Sequence, residues 1–459
     1  MDPASWGLRP STSSGRPERV ERRESGPGEP RRRTSSCTMS GPVTGFFRSH
    51  GVLTADGVEL AGIARQVGTP THVYSGPHID ARFRELDAAF STVPHRLHYA
   101  IKANATLDVV RRLRRLGAGA DANSGGEIEV ALRAGFEPAD IVFTGVGKTT
   151  AELERAVGLG VRAINAESLG ELTRIAAIAA AQGPQGKEAR VAIRINPDVD
   201  AGSHPHISTG SHGTKFGVSI AQARAMIQRV VSLSHLRLVG LHVHVGSQVV
   251  RTEPLTRAAE AVADLARDLV AQGVAIEHLD LGGGLGIQYT PGQSVISPTE
   301  YAEALLPAVR RSGLMLLLEP GRWIVGPSGV LLTTVVDLKE RPGGGWFVIV
   351  DAGMTELIRP ALYGAWHNIE TVGPPREGRI QADVVGPVCE TSDTLAANRE
   401  VPEVEVGDVL AIRDTGAYGA IMASNYNRRP MAAEVMVDGG GCRTIRRRQT
   451  IDDMLQWDV

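Results

Sequence analysis

The sequence predicts an α/β chain in which a (β/α)8 barrel is followed by a mostly β domain. Over residues 75–325, short β-branched runs alternate with polar loops and amphipathic helices, which is the pattern of parallel strands joined by helices. Periodicity alone also allows a doubly wound open sheet. The candidate barrel strands are Leu97–Ile101, Ala118–Ala122, Ile141–Thr144, Ala163–Ala166, Val191–Ile195, Val239–Val245, His278–Leu281 and Leu314–Leu318.

Helical stretches separate these candidate strands. Their apolar residues recur at three- and four-residue spacing, which gives each helix one face that can pack on the strands. The stretches are Leu107–Leu116, Glu127–Ala134, Ala151–Gly158, Leu169–Ala181, Ala221–Val231, Leu255–Ala271 and Thr299–Arg311.

The pattern changes after residue 325. Strand-like runs separated by Gly/Pro turns, with few helical stretches, predict a β-sandwich or barrel-like domain over residues 326–459. We expect residues 44–74, which read as short strands and turns, to join this domain. The runs are Val330–Val336, Trp346–Val350, Asp383–Val385, Val409–Ile412 and Met431–Val437.

Residues 1–43 differ in composition from the rest of the chain. Ser, Gly, Pro and Arg dominate them without apolar periodicity, which predicts a disordered tail. A secretory signal would need an apolar core, and acidic residues such as Glu18 and Glu21 argue against an organellar transit peptide. Two explanations of this segment remain open. The start codon is assigned too early, or the segment is a functional tail.

Composition and charge exclude some classes of partner. The 459 residues are 42% hydrophobic with a net charge of −2, which gives no argument for nucleic acid or an anionic membrane surface. No apolar run approaches the roughly 20 residues of a membrane span. Cys37, Cys389 and Cys442 make no disulfide framework and favour a reducing compartment. We therefore expect a cytoplasmic enzyme with no nucleic-acid or membrane partner.

Lys102 is the first candidate site residue. It ends the first predicted barrel strand, and active sites of such barrels lie at the carboxyl ends of the strands. A buried ammonium group must be paired, altered in pKa or used covalently. Asp121, which ends the second strand, has no assigned chemistry, and we expect it to be structural or charge-balancing.

The later strand ends predict a phosphate site and a buried acid. Residues Gly282–Gly284 can form a nest of backbone N–H groups for a phosphate, with Ser247 and Arg322 as further donors. Glu319 ends an apolar run, so its carboxylate needs a cationic partner. Together with Lys102 this set fits pyridoxal 5′-phosphate, with Lys102 in a Schiff base and Glu319 bonded to the pyridine nitrogen.

A metal site is the rival interpretation. His242 and His244 share a strand face because they are two residues apart, as metal ligands often are. A metal-dependent barrel hydrolase would need more ligands, but the fourth and fifth strand ends supply no histidine and Glu167 has no obvious partner. We predict no metal, and expect one histidine to stack on a flat cofactor while the other packs.

Motifs spread over residues 44–459 resemble those of the alanine-racemase-type barrel family of pyridoxal-phosphate-dependent decarboxylases, and especially the members that act on diaminopimelate. The motifs are Tyr99-Ala100-Ile101-Lys102-Ala103-Asn104, Asn196-Pro197-Asp198-Val199-Asp200, His206-Ile207-Ser208-Thr209-Gly210, Lys215-Phe216-Gly217, His242-Val243-His244-Val245-Gly246-Ser247-Gln248, Glu319-Pro320-Gly321-Arg322, Arg359-Pro360-Ala361-Leu362-Tyr363, Gly386-Pro387-Val388-Cys389-Glu390 and Gly416-Ala417-Tyr418-Gly419.

The resemblance implies decarboxylation of meso-2,6-diaminopimelate to L-lysine and CO2, the last step of lysine biosynthesis, by a homodimer with shared active sites. Related enzymes act on ornithine, lysine, arginine or carboxynorspermidine, so another basic amino acid is the alternative substrate. A catalytically silent homologue is a third hypothesis. The histidines of loop 202–213 have no assigned role.

The resemblance also implies the role of each site residue. The implied catalytic residues are Lys102, His244 and Cys389. Cys389 would be a proton donor that enters the site from the partner subunit together with Glu390. Arg359 and Tyr363 would hold the distal carboxylate of the substrate. The cofactor-binding set is Lys102, His244, Ser247, Gly282, Gly283, Gly284, Glu319, Gly321, Arg322 and Tyr418, and the substrate-binding set is Arg322, Arg359, Tyr363, Glu390 and Tyr418.

Overall fold

The computed structural model describes residues 44–182, 188–199 and 214–459. The predicted tail, residues 1–43, and the histidine-containing loop 202–213 lie outside the described residues. No helix among the described residues has both the length and the apolar composition needed to cross a membrane.

The described chain starts with a small antiparallel sheet and two helices. Ser75 begins the second helix by accepting a hydrogen bond from the His78 backbone N–H, and a proline follows in the first turn. The elements are β1 (Phe46–Ser49), β2 (Val52–Ala55), β3 (Val58–Glu59), α1 (Leu60–Val67), β4 (Thr71–Ser75) and α2 (Gly76–Ala89).

Eight parallel strands then close into a barrel, and a helix follows each of them. The strands are β5 (His95–Ala100), β6 (Gly119–Ala122), β7 (Ile141–Phe143), β8 (Ala163–Ala166), β9 (Ala189–Ile195), β10 (Leu236–Val243), β11 (His278–Asp280) and β12 (Met315–Leu318). The helices are α3 (Leu107–Arg115), α4 (Gly125–Ala134), α5 (Thr150–Leu159), α6 (Leu169–Ala181), α7 (Ile220–Val231), α8 (Glu253–Ala271), α9 (Pro298–Ser312) and α10 (Arg322–Val325).

Local sequence signals fix where several barrel helices begin and end. Helices α5, α7 and α9 each start with a capping box, in which a Ser or Thr and a Glu or Gln three residues later bond each other's backbone N–H. A left-handed glycine follows α4, α5 and α9, at Gly135, Gly160 and Gly313. These caps set the length of each helix and bring the chain to the next strand.

The closed barrel confirms the predicted fold class and excludes the open sheet. All eight predicted strands are present, with ends that differ by at most three residues from those predicted. Two site residues are displaced relative to their strands. β5 ends at Ala100, so Lys102 lies in a single 3-10 turn, Ile101–Ala103, and β10 ends at Val243, one residue before His244.

The C-terminal region is mostly β, as predicted, and its nine-stranded sheet includes an N-terminal strand. β4 lies between β13 and β19 in this sheet. The elements are β13 (Gly329–Glu340), β14 (Trp346–Val350), α11 (Arg359–Tyr363), β15 (Ile369–Thr371), β16 (Arg379–Val385), β17 (Thr394–Pro402), β18 (Val409–Ile412), β19 (Ala433–Asp438), β20 (Gly441–Arg446) and α12 (Ile451–Leu455). We propose residue 325 as the end of the barrel, because α10 ends there and β13 starts shortly after.

Candidate active site

A cavity opens at the carboxyl ends of the barrel strands and brings together most of the predicted site residues. All of them except Cys389 and Glu390 line it. The predicted residues that line the cavity are Lys102, His244, Ser247, Gly282, Gly283, Gly284, Glu319, Gly321, Arg322, Arg359, Tyr363 and Tyr418.

Lys102 reaches this cavity as a paired ammonium group. Its Nζ lies 3.2 Å from Asp121 Oδ2 and 3.1 Å from Asn123 Oδ1, and 33% of its side chain is exposed. Burial lowers the pKa of Lys102, but the fully buried Asp121 and the nearby Glu319 outweigh it and raise that pKa above its usual value. Asp121 thus balances the charge of the lysine.

Glu319 lies in a buried hydrogen-bond network within the barrel. His242 Nε2 donates to Glu319 Oε2 over 3.3 Å, and Thr144 Oγ1 donates to Oε1 over 3.3 Å. Burial alone would raise the pKa of Glu319, but His242 and Lys102 lower it below its usual value. Glu319 is therefore an ionised acceptor at the cavity wall.

Asp280 completes a cluster with Glu319 and His242. One possible ligand atom from each of the three lies within 4.8 Å of the others, which is close enough for a shared ion. The direct contact between His242 and Glu319 gives His242 a role that the sequence did not predict. Burial and the neighbouring Glu319 raise the pKa of Asp280 well above its usual value, so the cluster carries less negative charge than its composition suggests.

The glycine residues form a cradle that no other residue type would fit. A Cβ at Gly282, Gly283 or Gly284 would lie 2.6 Å, 2.2 Å or 2.4 Å from a backbone carbonyl oxygen. Gly282 and Gly284 also have positive φ angles of 67° and 98°. Backbone therefore lines this part of the cavity without side chains, so a ligand can approach it closely. The backbone N–H groups of Gly282 and Gly283 already donate to Asp280 Oδ1 over 2.9 Å and to His244 Nδ1 over 3.2 Å, so these two do not form the predicted nest of open donors.

Arg322 and Arg359 are buried arginines without a carboxylate partner among the described residues. Arg322 donates to Tyr289 Oη over 2.6 Å and to Ser247 Oγ over 2.8 Å. Only 7% of Arg322 and 6% of Arg359 is exposed. A buried cation without an acid beside it is costly unless an anion binds it. The two guanidinium groups therefore define two anion-binding positions in one cavity.

His244 presents a neutral ring to the cavity. Its Nδ1 accepts a hydrogen bond from the Gly283 backbone N–H over 3.2 Å. Burial and the positive charge of Lys102 lower the pKa of His244 well below its usual value. An uncharged imidazole can stack on a flat, electron-poor ring.

Tyr418 closes the cavity from the C-terminal region. It has a positive φ of 57°, and its backbone N–H donates to the carbonyl of Ala103, beside Lys102. Its ring lies 4.8 Å from the guanidinium carbon of Arg322. The β domain thereby contributes directly to the cavity around Lys102.

Cys389 and Glu390 lie outside the cavity and are exposed. Cys389 Sγ contacts the side-chain amide of Asn427, with distances of 3.3 Å to Oδ1 and 3.2 Å to Nδ2. Tyr426 Oη donates to Glu390 Oε1 over 2.6 Å. Within one chain, these two residues therefore do not meet Lys102.

Glu167 has a buried partner that the sequence did not reveal. Arg194 Nη1 donates to Glu167 Oε1 over 2.7 Å, so this acid has a buried partner. Arg194 also lines the cavity, as does Asn123. Their positions near the ends of β9 and β6 could have drawn attention to both. Tyr289, which contacts Arg322, lies in a loop and has no comparable sequence signal.

These residues fit pyridoxal phosphate by the chemistry of their donors and by the shape of the cavity. Arg322, Ser247 and the side-chain-free cradle suit a phosphate group. Glu319, as an ionised acceptor, suits a protonated pyridine nitrogen. Lys102 suits an aldehyde carbon.

Comparisons with known proteins agree with this geometry. The family model described as "pyridoxal-dependent decarboxylase, pyridoxal binding domain" matches residues 77–326. Diaminopimelate decarboxylase from Pseudomonas aeruginosa is 46% identical over 402 residues, which cover 88% of this chain and 95% of that protein. The protein from Aquifex aeolicus with the same name is 44% identical over 406 residues, or 88% and 95% of the two chains.

A solved structure extends the similarity to the whole fold. Diaminopimelate decarboxylase from Helicobacter pylori, complexed with L-lysine, has a TM-score of 0.83 and 40% identity and covers 86% of this chain and 98% of its own. The chain therefore belongs to the diaminopimelate decarboxylase family of pyridoxal-dependent decarboxylases.

Proposed function

We propose that this chain converts meso-2,6-diaminopimelate to L-lysine and CO2 with pyridoxal phosphate as cofactor. The observation that carries the substrate assignment is Arg359, a buried guanidinium in the cavity that Lys102 also lines, which has no acid partner within the described ranges 44–182, 188–199 and 214–459. Ornithine, lysine and arginine have no second carboxylate to offer it. Diaminopimelate has one, and a bidentate arginine contact is a strong way to bind it.

The cofactor would be held at both ends and across its ring. Arg322, Ser247 and the cradle Gly282–Gly284 would bind the phosphate. Gly321 would let its loop pack against the turn that carries Lys102, since a Cβ there would lie 2.8 Å from Ala103 Cβ. Glu319 would accept a hydrogen bond from the ring nitrogen, and His244 would stack on the ring. When bound, pyridoxal phosphate supplies an aldehyde that condenses with amines and a protonated ring that delocalises the electrons left after CO2 departs.

Lys102 has to lose a proton before it can attack an aldehyde. Its nearest acidic neighbour is Asp121, 3.2 Å away, and burial followed by the charge of Glu319 raises the pKa of that carboxyl. Asp121 would therefore be suited to take the proton from Nζ and to return it when Nζ is again a free amine. Asn123 keeps Nζ directed at the cavity wall during this exchange.

The cavity of one chain lacks the predicted proton donor. Cys389 and Glu390 are exposed and lie outside it, so we infer that a second copy of the chain brings them to the site. In a two-fold dimer, each copy would complete the other's cavity. Cys389 of the partner subunit, or a water that it positions, would protonate the carbon that lost CO2, and Glu390 of the partner subunit would bind the distal ammonium of the substrate.

The free cysteines support a reducing compartment as the place where the enzyme works. Cys389 and Cys442 are both free thiols in the described part of the chain, and a catalytic thiol must stay reduced. We infer that the enzyme works in the cytoplasm.

The test is the identity of the product. Purified protein supplied with pyridoxal phosphate is incubated with meso-diaminopimelate, and CO2 and free amino acids are measured together. We expect equal amounts of CO2 and L-lysine. If L-ornithine or L-arginine releases CO2 while meso-diaminopimelate does not, the substrate assignment is wrong.

A further inference from the structure

Arg359 is held in place without being neutralised. Its Nη1 lies 2.8 Å from His367 Nε2, and its guanidinium carbon lies 4.5 Å from the centre of the Tyr289 ring. Among the described residues, no carboxylate forms an ion pair with it. Asp414 acts on it only at longer range, and the charge of Arg413 affects the pKa of Asp414 more than the charge of Arg359 does. Arg359 therefore has fixed geometry and a free charge.

His367 acts as a hydrogen-bond acceptor toward Arg359. Its Nδ1 lies 2.8 Å from the carbonyl oxygen of Arg413, which can only accept, so Nδ1 carries the ring hydrogen. The lone pair of Nε2 is then free to accept from Arg359. Burial, together with the charge of Arg359, lowers the pKa of His367 to about 3. The imidazole is consequently neutral in this contact.

Tyr289 connects the two buried arginines. Its hydroxyl accepts from Arg322 Nη1 over 2.6 Å, while the face of its ring covers the guanidinium of Arg359. Its ring also meets that of His367 edge to face, with centroids 5.2 Å apart. One phenol thus holds both the arginine assigned to the phosphate and the arginine assigned to the substrate carboxylate.

We propose that His367 and Tyr289 are positioning residues that determine specificity, because they hold Arg359 as an unneutralised cation for the distal carboxylate of the substrate. The inference rests on the proposed function. An acid in place of His367 would hold Arg359 at least as firmly. It would also neutralise the guanidinium charge that would otherwise pair with the distal carboxylate of the substrate. A neutral acceptor and an aromatic face fix the guanidinium without that loss.

The experiment compares two ligands that differ by one carboxylate. L-Lysine keeps the carboxylate that the reaction spares, whereas cadaverine has the same carbon chain and both amines without it. Inhibition constants for both are measured on the holoenzyme with meso-diaminopimelate as substrate. If wild type does not prefer L-lysine to cadaverine, recognition of a distal carboxylate fails, and the proposed function fails with it.

Two variants of the same size isolate the charge. His367→Glu places a carboxylate beside Arg359, and His367→Gln places a neutral acceptor there. We expect His367→Glu to raise the inhibition constant of L-lysine about tenfold or more, while that of cadaverine changes less than about threefold. His367→Gln should retain most of the preference for L-lysine. Equal preferences in wild type and a folded His367→Glu variant would overturn the inference while leaving the proposed function intact.

Further variants keep the inference testable if the buried glutamate prevents folding, which circular dichroism would show. His367→Leu removes the hydrogen-bond acceptor of Arg359 and should also raise the inhibition constant of L-lysine more than that of cadaverine. Tyr289→Phe keeps the ring over Arg359 but loses the bond to Arg322. It should raise the dissociation constant for pyridoxal phosphate, measured by equilibrium dialysis, without changing the ratio of the two inhibition constants. Loss of that ratio in Tyr289→Phe, or an unchanged ratio in His367→Leu, would contradict the assigned roles.

Discussion

The charged side chains around the cavity fall into two groups, those with partners inside the described part of the chain that balance them and those without. Lys102 has Asp121 as a counter-ion, and Glu319 has its own buried hydrogen-bond donors. Arg322 and Arg359 contact only neutral acceptors among the described residues. The first two charges are balanced before any ligand binds, whereas the two arginines leave positive charge for anions that enter from outside.

The first prediction concerns the covalent role proposed for Lys102. Lys102→Ala should lower turnover by about 1,000-fold or more, because it removes the only amine assigned to the cofactor aldehyde. Borohydride treatment followed by mass spectrometry should attach the cofactor to wild type but not to this variant. Lys339→Ala, at an exposed lysine on β13, is the control and should still be labelled. Labelling that persists in Lys102→Ala would place the amine elsewhere.

At the scale of elements, the loops after β11 and β12 are packed backbone against backbone. Gly283→Ala should weaken pyridoxal phosphate binding at least about tenfold, because the new Cβ would lie 2.2 Å from the carbonyl oxygen of Glu319. Equilibrium dialysis measures the binding, and thermal unfolding reports the stability of each variant. A Gly283→Ala variant with unchanged cofactor affinity would show that this close approach is not needed.

The matched control for that substitution is Gly158→Ala. Gly158 lies in α5 with open space around its Cβ position, so alanine there should raise helix stability by up to about 1 kcal/mol. Cofactor affinity should stay at the wild-type value, because α5 lies outside the cradle.

The sequence was sufficient for elements with a strong local pattern. Barrel strands such as β12 were predictable because they are buried apolar runs. β17 and β20 were missed because they are the outer strands of their sheet, and neither has a continuous buried apolar run. In the site, residues within motifs were found, whereas His367 and Tyr289 were missed because only tertiary packing brings them to Arg359.

At the scale of the whole molecule, buried neutral histidines couple stability to pH. Burial lowers the pKa of His98 and His278 to about 3 and of His72 to about 4. The unfolded chain binds these protons near pH 6.5, so stability is full above that pH and falls as the pH drops towards the folded-state values. Glu127 has the opposite effect on stability. Burial raises its pKa to about 7, so its contribution to stability is lost as the pH rises through that value.

The urea midpoint should therefore be lower at pH 5 than at pH 7.5. Each buried histidine contributes roughly 1–2 kcal/mol to the difference in unfolding free energy. His278→Asn should reduce the difference between the two midpoints, and this comparison separates the histidine from the carboxylates. If the difference between the two midpoints were as large in His278→Asn as in wild type, neutral burial of this ring would be contradicted.

The proposed sharing of the site between two subunits predicts complementation between inactive variants. Lys102→Ala and Cys389→Ala should each be inactive alone, because one lacks the amine proposed for the cofactor and the other lacks the proposed proton donor. After unfolding and refolding as a mixture, about one quarter of wild-type activity should return, since half of the dimers then contain one complete site of two. No recovery in refolded mixed dimers, which differently tagged subunits would verify, would place Cys389 and Lys102 in the same chain's site.

The most direct test of the central claim is the ratio of kcat/KM for meso-diaminopimelate to that for L-lysine, measured as CO2 release. The claim predicts a ratio of at least about 100 in wild type, because decarboxylation of L-lysine leaves the buried Arg359 without an anion. Arg359→Gln should lower that ratio mainly by raising KM for meso-diaminopimelate. A wild-type ratio near or below one would contradict the account.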